Sequence, residues 1–182
     1  MAIVAGELLW YFSVKTGSAG NSTAGTAAGS LGKYLSTTQW TGGTLHDLFD
    51  IITGDENVAS DVEYRCVFVR NSNGSSLALQ NSKFYLAGAE TSGGANIAIG
   101  IDPAGATAIG SASAQAAEVV DENTAPSGVT FSAPTTKAGS TITLASLPAG
   151  QCVALWVRRT ATNSAAQNAD GATVRIEGDT AA

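Results

Sequence analysis

Two segments constrain this chain more than any others. Asp61-Val62-Glu63-Tyr64-Arg65-Cys66-Val67-Phe68-Val69-Arg70-Asn71 and Gln151-Cys152-Val153-Ala154-Leu155-Trp156-Val157-Arg158-Arg159-Thr160 are rich in β-branched and aromatic residues. Such residues suit a pleated, packed surface. With a period of two, Val62, Tyr64, Cys66 and Phe68 share one face, and Glu63, Arg65, Val67 and Val69 share the other. The turn signal Asn73-Gly74 ends the first run, and a second alternating run follows it.

Shorter segments of the same kind fill the chain. They are Leu8 to Val14, Lys33 to Thr41, Leu77 and Leu79 pairing with Lys83-Phe84-Tyr85-Leu86, Ala95 to Ile101, Val129 to Phe131, Thr141 to Leu144 and Ala172 to Glu177. Ala104 to Ala117 reads as a loop or a weak strand. Ile97, Ile99 and Ile101 share one face, and the small residues between them would let another layer approach closely. Leu45 to Ile52 suits a single helical turn or a buried strand, and Gly54-Asp55-Glu56-Asn57 after it reads as a turn. Pro103, Pro126, Pro134 and Pro148 fall in the gaps. Eight or nine short strands with turn signals predict an all-β, antiparallel β-sandwich or jelly roll.

The N-terminus reads differently. The apolar Leu8–Val14 run precedes Gly17 to Gly32, a tract of Gly, Ala, Ser and Thr that favours a flexible connection. The run is either a first strand or an arm that docks on a neighbouring subunit by strand addition. The arm reading divides the chain into an arm and flexible tract, 1–32, and a sandwich domain, 33–182. It makes Leu9, Trp10, Tyr11 and Phe12 the partner-binding candidates.

Charge narrows the function classes. Charged residues are 13% of the 182 residues, about half the usual share, and the net charge is −6. A neutral surface suits faces that lie against other subunits. A net negative chain lacks the basic footprint that phosphate binding needs, so no direct nucleic-acid contact is expected. No apolar run approaches a membrane span. Met1 to Glu7 lacks the basic and apolar regions of a signal peptide, which predicts assembly in a cytoplasm.

The candidate chemistries fail on residue type and spacing. His46 is the one histidine, and no Gly-x-Ser-x-Gly elbow accompanies it; capping or packing is its expected role. Cys66 and Cys152 complete a set of three Cys and His residues, too few and too scattered to favour a zinc site. They read as buried free thiols, with a disulfide open to them if their strands face each other in an oxidising compartment. Gly29-Ser30-Leu31-Gly32-Lys33-Tyr34 lacks the first glycine and the hydroxyl residue of a phosphate loop. Asp47, Asp50, Asp55, Glu56, Asp61 and Glu63 read as solvated turn carboxylates, without the ladder of an EF-hand. Trp10, Trp40 and Trp156 are candidates for stacking on sugar, with core packing expected for Trp156. No catalytic residue, cofactor or metal is therefore expected.

Four long blocks resemble tailed-bacteriophage and prophage virion proteins. They are Gly54-Asp55-Glu56 with residues 61–71, residues 121–134 (Asp121-Glu122-Asn123-Thr124-Ala125-Pro126 onward), Pro148-Ala149-Gly150-Gln151 with Trp156-Val157-Arg158-Arg159-Thr160, and Asp170 to Thr180. The resemblance spans about residues 45–180. It implies a non-enzymatic β-sandwich in a virion, best matched to a capsid decoration, or cement, protein. Its partners would be the major capsid protein and copies of itself, as a homo-oligomer on the capsid. A tail, collar or fibre-attachment subunit and a carbohydrate-binding module are the alternatives.

Overall fold

The computed structural model describes residues 2–88, 93–168 and 170–180. It is an antiparallel sandwich of two sheets. The strands are β1 (Leu8–Val14), β2 (Tyr34–Gln39), β3 (Val62–Asn71), β4 (Leu79–Leu86), β5 (Ala95–Ala108), β6 (Thr143–Leu147), β7 (Gln151–Ala161) and β8 (Val174–Thr180). The larger sheet runs β2-β1-β3-β7-β5 and the smaller β6-β4-β8. The two runs that dominate the sequence are β3 and β7, neighbours at the heart of the larger sheet, with Cys66 opposite Trp156 and Glu63 opposite Arg159.

Both faces of β3 and β7 are buried. Val67, Val69, Val153, Leu155 and Val157 pack against Leu79, Phe84, Leu86 and Leu147 of the smaller sheet. On the reverse face, Cys66, Phe68, Ala154 and Trp156 pack under Leu35, Ala116 and Val119. That second core is roofed by irregular chain from residues 17–33 and 109–133. Backbone hydrogen bonds tie the two roof segments together, Lys33 N to Ala117 O at 3.0 Å and Val119 N to Leu31 O at 3.1 Å.

The roof depends on missing side chains. A Cβ at Gly32, where φ is +93°, would lie 1.9 Å from the Ala117 carbonyl oxygen. One at Gly100 would lie 2.5 Å from Val129 Cγ1 and 2.6 Å from Thr130 O. This is the close approach of another layer that the small residues of Ala95–Ile101 predict. Asp102 locks the roof down. Its buried carboxylate accepts from Trp156 Nε1 at 2.9 Å, Ala117 N at 2.9 Å and Ala104 N at 3.0 Å.

The N-terminal arm is not what the structure contains. β1 sits inside the sheet, paired to β2 on one edge and β3 on the other, so its backbone is already satisfied and has no edge to lend. The Gly17–Gly32 tract is ordered too. Asn21 N donates to Leu35 O at 2.5 Å, Thr37 N to Thr23 O at 2.8 Å and Cys66 N to Ser30 O at 2.7 Å. Residues 2–32 thus belong to the same folded unit as the strands after residue 33. Residues 1, 181 and 182 lie outside the described residues. Deleting residues 1–32 removes an interior strand and half the roof, and is expected to leave an unfolded chain by circular dichroism. A folded truncation product would contradict this architecture.

Other local readings shift for similar reasons. Asn73 does organise a turn, its Oδ1 accepting from Ser75 N and Leu77 N, but the turn carries the chain to the other sheet. Leu79–Leu86 is one strand paired with β6 and β8, not a local hairpin. Leu45–Ile52 is neither helix nor strand. Gly54–Ala59 is a short helix, α1, not a turn. Thr53 and Glu56 form its capping box, Thr53 N donating to Glu56 Oε2 at 2.6 Å. Val129–Phe131 forms no strand, though Ser132 bridges to Ile99.

Candidate functional site

The site begins with one buried arginine. Arg159 lies near the end of β7, on the face turned toward the smaller sheet, opposite Glu63 of β3. Its Nε donates to Glu63 Oε2 at 2.6 Å. Its other nitrogens donate to the Asp50 carbonyl oxygen and, at 3.2 Å, to Asp50 Oδ1. The guanidinium also lies over the Phe49 ring, 4.8 Å from its centroid. Arg65, almost fully buried, approaches the same ring at 5.6 Å and pairs with Glu122. Two cations around one ring and two carboxylates around one cation pin an irregular loop to a rigid sheet. Leu48 is inserted into the core beside them. Burial pushes the Glu63 carboxyl up, and Arg159 opposes that shift.

What this anchor holds up is apolar and exposed. Among the described residues the exposed large apolar side chains are Val4, Leu45, Ile51, Val58 and Val120, and three of the five lie in residues 45–58. Leu45 and Ile51 stand on the pinned loop and Val58 on α1, together the crest of residues 45–58. Leu45 and Ile51 also line a groove of about 1290 Å³. Trp10 and Trp40 line it, as do Ile97 and Val157 from the larger sheet and residues 164–168 and 170–174.

The sequence-derived partner residues divide between the two faces of β1. Trp10 reaches the groove and Phe12 the inter-sheet core, whereas Leu9 and Tyr11 pack under the roof. They form no common surface. Trp40 meets Trp10 edge-on, with ring centroids 5.9 Å apart and planes at 89°, and is half-buried. Trp156 is fully buried, as expected of a core residue. His46 does not pack; it is exposed, with φ at +59°.

The carboxylates of residues 47–63 do not gather into one site, and Glu63 is a buried strand residue, not a solvated turn carboxylate. Asp50 and Glu63 hold Arg159, Glu56 caps α1, and Asp61 accepts from Asn123 Nδ2 at 2.9 Å. Among the described residues no three Cys, His, Asp or Glu side chains are grouped to hold a metal ion. Cys66 and Cys152 are buried free thiols. The register places Cys66 opposite Trp156 and Cys152 opposite Arg70, so they do not face each other. Burial raises both thiols, Cys152 to about 11, which keeps them protonated and unreactive near neutral pH.

Sequence reasoning missed the crest because Leu45, Ile51 and Val58 share no period. The one available signal was the Thr53-x-x-Glu56 capping box, which marks a helix start among the acidic residues. Comparison with protein-family models, curated proteins and solved structures gives no match.

Proposed function

We propose that this chain is a structural protein of a bacteriophage virion, a non-enzymatic decoration protein that docks on the capsid through the crest at residues 45–58. The observation that carries the reading is Leu45, Ile51 and Val58 exposed at 66%, 65% and 72% on a loop and helix that the Arg159–Asp50–Glu63 cluster ties to the sheet. Displaying apolar side chains on stiff backbone lowers the entropy lost on docking. The block resemblances to virion proteins supply the kind of partner, since they run from about residue 45 onward. The low charge of the chain fits a surface that lies against a protein lattice. Many copies, each binding modestly, would together brace the shell.

The test uses tail-less, DNA-filled heads of the parent phage. The chain is expected to co-purify with them, and a Leu45→Asp, Ile51→Asp, Val58→Asp triple variant is expected to fold but lose occupancy. Recovery of the chain with tails alone would favour the tail or collar reading. Unchanged occupancy of the triple variant would remove the crest from the interface.

A further inference from the structure

β8 is the last strand of the smaller sheet, and only β4 pairs with it. Among the described residues no other backbone–backbone bond reaches it; Ile3 N donates only to the Thr180 side chain, at its last residue. The register sets Leu86 opposite Val174 and Tyr85 opposite Arg175, and Ala87 N donates to Thr173 O at 2.7 Å. In an antiparallel ladder, bonded and non-bonded pairs alternate. Thr173, Arg175 and Glu177 therefore direct their N–H and C=O groups at β4. Val174, Ile176 and Gly178 direct theirs at the open edge. The donors of Phe84 and Leu86 agree, since they bond Ile142 O and Pro134 O on the far side of β4.

Native sheets guard such an edge with proline, lysine or a covering segment. The larger sheet does so. Residues 21–25 run along β2, and Ser132 exchanges hydrogen bonds with Ile99 of β5 at 2.8 and 3.0 Å. β8 has no proline or lysine, and among the described residues no strand or loop backbone pairs with its outer edge from Val174 to Gly178; Ile3 N touches its end, donating to Thr180 Oγ1 at 3.1 Å. Its side chains suit a particular guest. Arg175, Glu177 and Asp179 alternate on the exposed face, while Val174 and Ile176 lie half-buried at the rim of the inter-sheet core.

We propose that β8 is the interface of a twofold homodimer, pairing antiparallel with β8 of a second copy and centred on Ile176. In this register Arg175 lies opposite Glu177 of the second copy, and Glu177 opposite its Arg175. The pairing is thus self-complementary, as an isologous contact must be. Val174, Ile176 and Gly178 would occupy the hydrogen-bonded positions, giving about six backbone bonds across the edge. The Arg–Glu pairs then fall at non-bonded positions, where opposing side chains come closest. Tyr85 donates to Glu177 Oε1, which leaves Oε2 for the incoming arginine. Ile176 meets its own copy and Val174 meets Gly178, closing the half-exposed rim. A shift of one residue would place Arg175 opposite Ile176 or Gly178 and lose the charge match. β6, the other edge of this sheet, is five residues long and uncharged, so it specifies no register. The proposal stands independently of the virion reading.

Sedimentation of the full chain over a range of concentrations tests it. The native chain is expected to dimerise. Arg175→Glu and Glu177→Arg should each weaken the dimer about tenfold or more by placing like charges opposite each other twice. The double variant R175E/E177R should regain the dimer, a recovery that damage to the fold could not produce. Amide exchange at Val174, Ile176 and Gly178 in the native chain should slow as concentration rises, a readout that needs no variant. A native chain that stays monomeric, single reversals without effect, a double variant that stays dissociated, or exchange independent of concentration would each overturn the proposal.

Discussion

Arg159→Ala is expected to destabilise the protein by about 3–5 kcal/mol at neutral pH, the usual cost of leaving a buried charge without its partner. Most of the loss falls at Glu63, which is 4% exposed, and little at Asp50, whose side chain is 68% exposed and can return to water. The pH dependence identifies the cause. Burial raises the folded-state affinity of Glu63 for its proton above the ordinary value of 4.5, and removing Arg159 takes away the chief opposing influence. A carboxyl whose folded value is raised contributes its stability in full below its unfolded value. That contribution is lost as pH rises through the folded value. The deficit of the variant relative to the native chain should therefore be greatest near pH 7 and shrink below about pH 4.5. Urea unfolding of both proteins at the two pH values measures it. Arg159→Lys should fall between them, because it keeps the charge but loses the fork that reaches Glu63 and Asp50 together. A deficit independent of pH would mean that lost packing on Phe49, and not the stranded carboxylate, dominates. The same variant should free the 45–58 crest, so capsid occupancy should fall with it if the crest is the docking surface.

Asp102→Ala is expected to destabilise the protein by a different route. The side chain is 2% exposed and accepts from Trp156 Nε1, Ala117 N and Ala104 N. Removing it strands the buried Trp156 Nε1 at about 1–3 kcal/mol, and takes the acceptor from the part-buried Ala117 and Ala104 amides at a smaller cost, since water can reach them. Asp102→Asn keeps one acceptor but sets an amide N–H against a donor, so a smaller loss is expected. The effect should be local before it is global. Amide exchange at Ala104 and Ala117 should accelerate in conditions where β3 and β7 remain protected, because the roof is irregular chain outside the strand ladders and opens first. Uniform exchange across roof and sheet would show that the two layers unfold as one unit.

Arg159 and Asp102 show where local reading stops. Arg159 and Glu63 are 96 positions apart in the chain, and Asp102 and Trp156 are 54 apart. Nothing near either residue announces its partner. Arg159 reads from the sequence as a strand-end salt-bridge donor without naming its acceptor, and nothing beside Asp102 marks it for burial. The burial of Trp156, by contrast, was legible from its place in an alternating strand. So were the free thiols, from their apolar neighbours. The crest was illegible for a third reason. Its exposure is a fact about what fails to cover it, and no local pattern encodes the absence of a neighbour.

The sequence by itself determined that this chain is an antiparallel β-sandwich and that residues 61–71 and 151–160 are strands of it, because side-chain alternation is a property of neighbours in the chain. Only the tertiary structure decided that Leu8–Val14 is an interior strand and not an arm, and that the Gly17–Gly32 tract is a roof and not a tether. Strand pairing is made by backbone groups that every residue carries alike. The roof is seated where Gly32 and Gly100 lack a Cβ, and a side chain that is missing leaves no hydrophobic pattern to read. The open edge of β8 belongs to the same class. Its charges were visible all along, but that they line an unpaired edge follows from the neighbours the fold gives them.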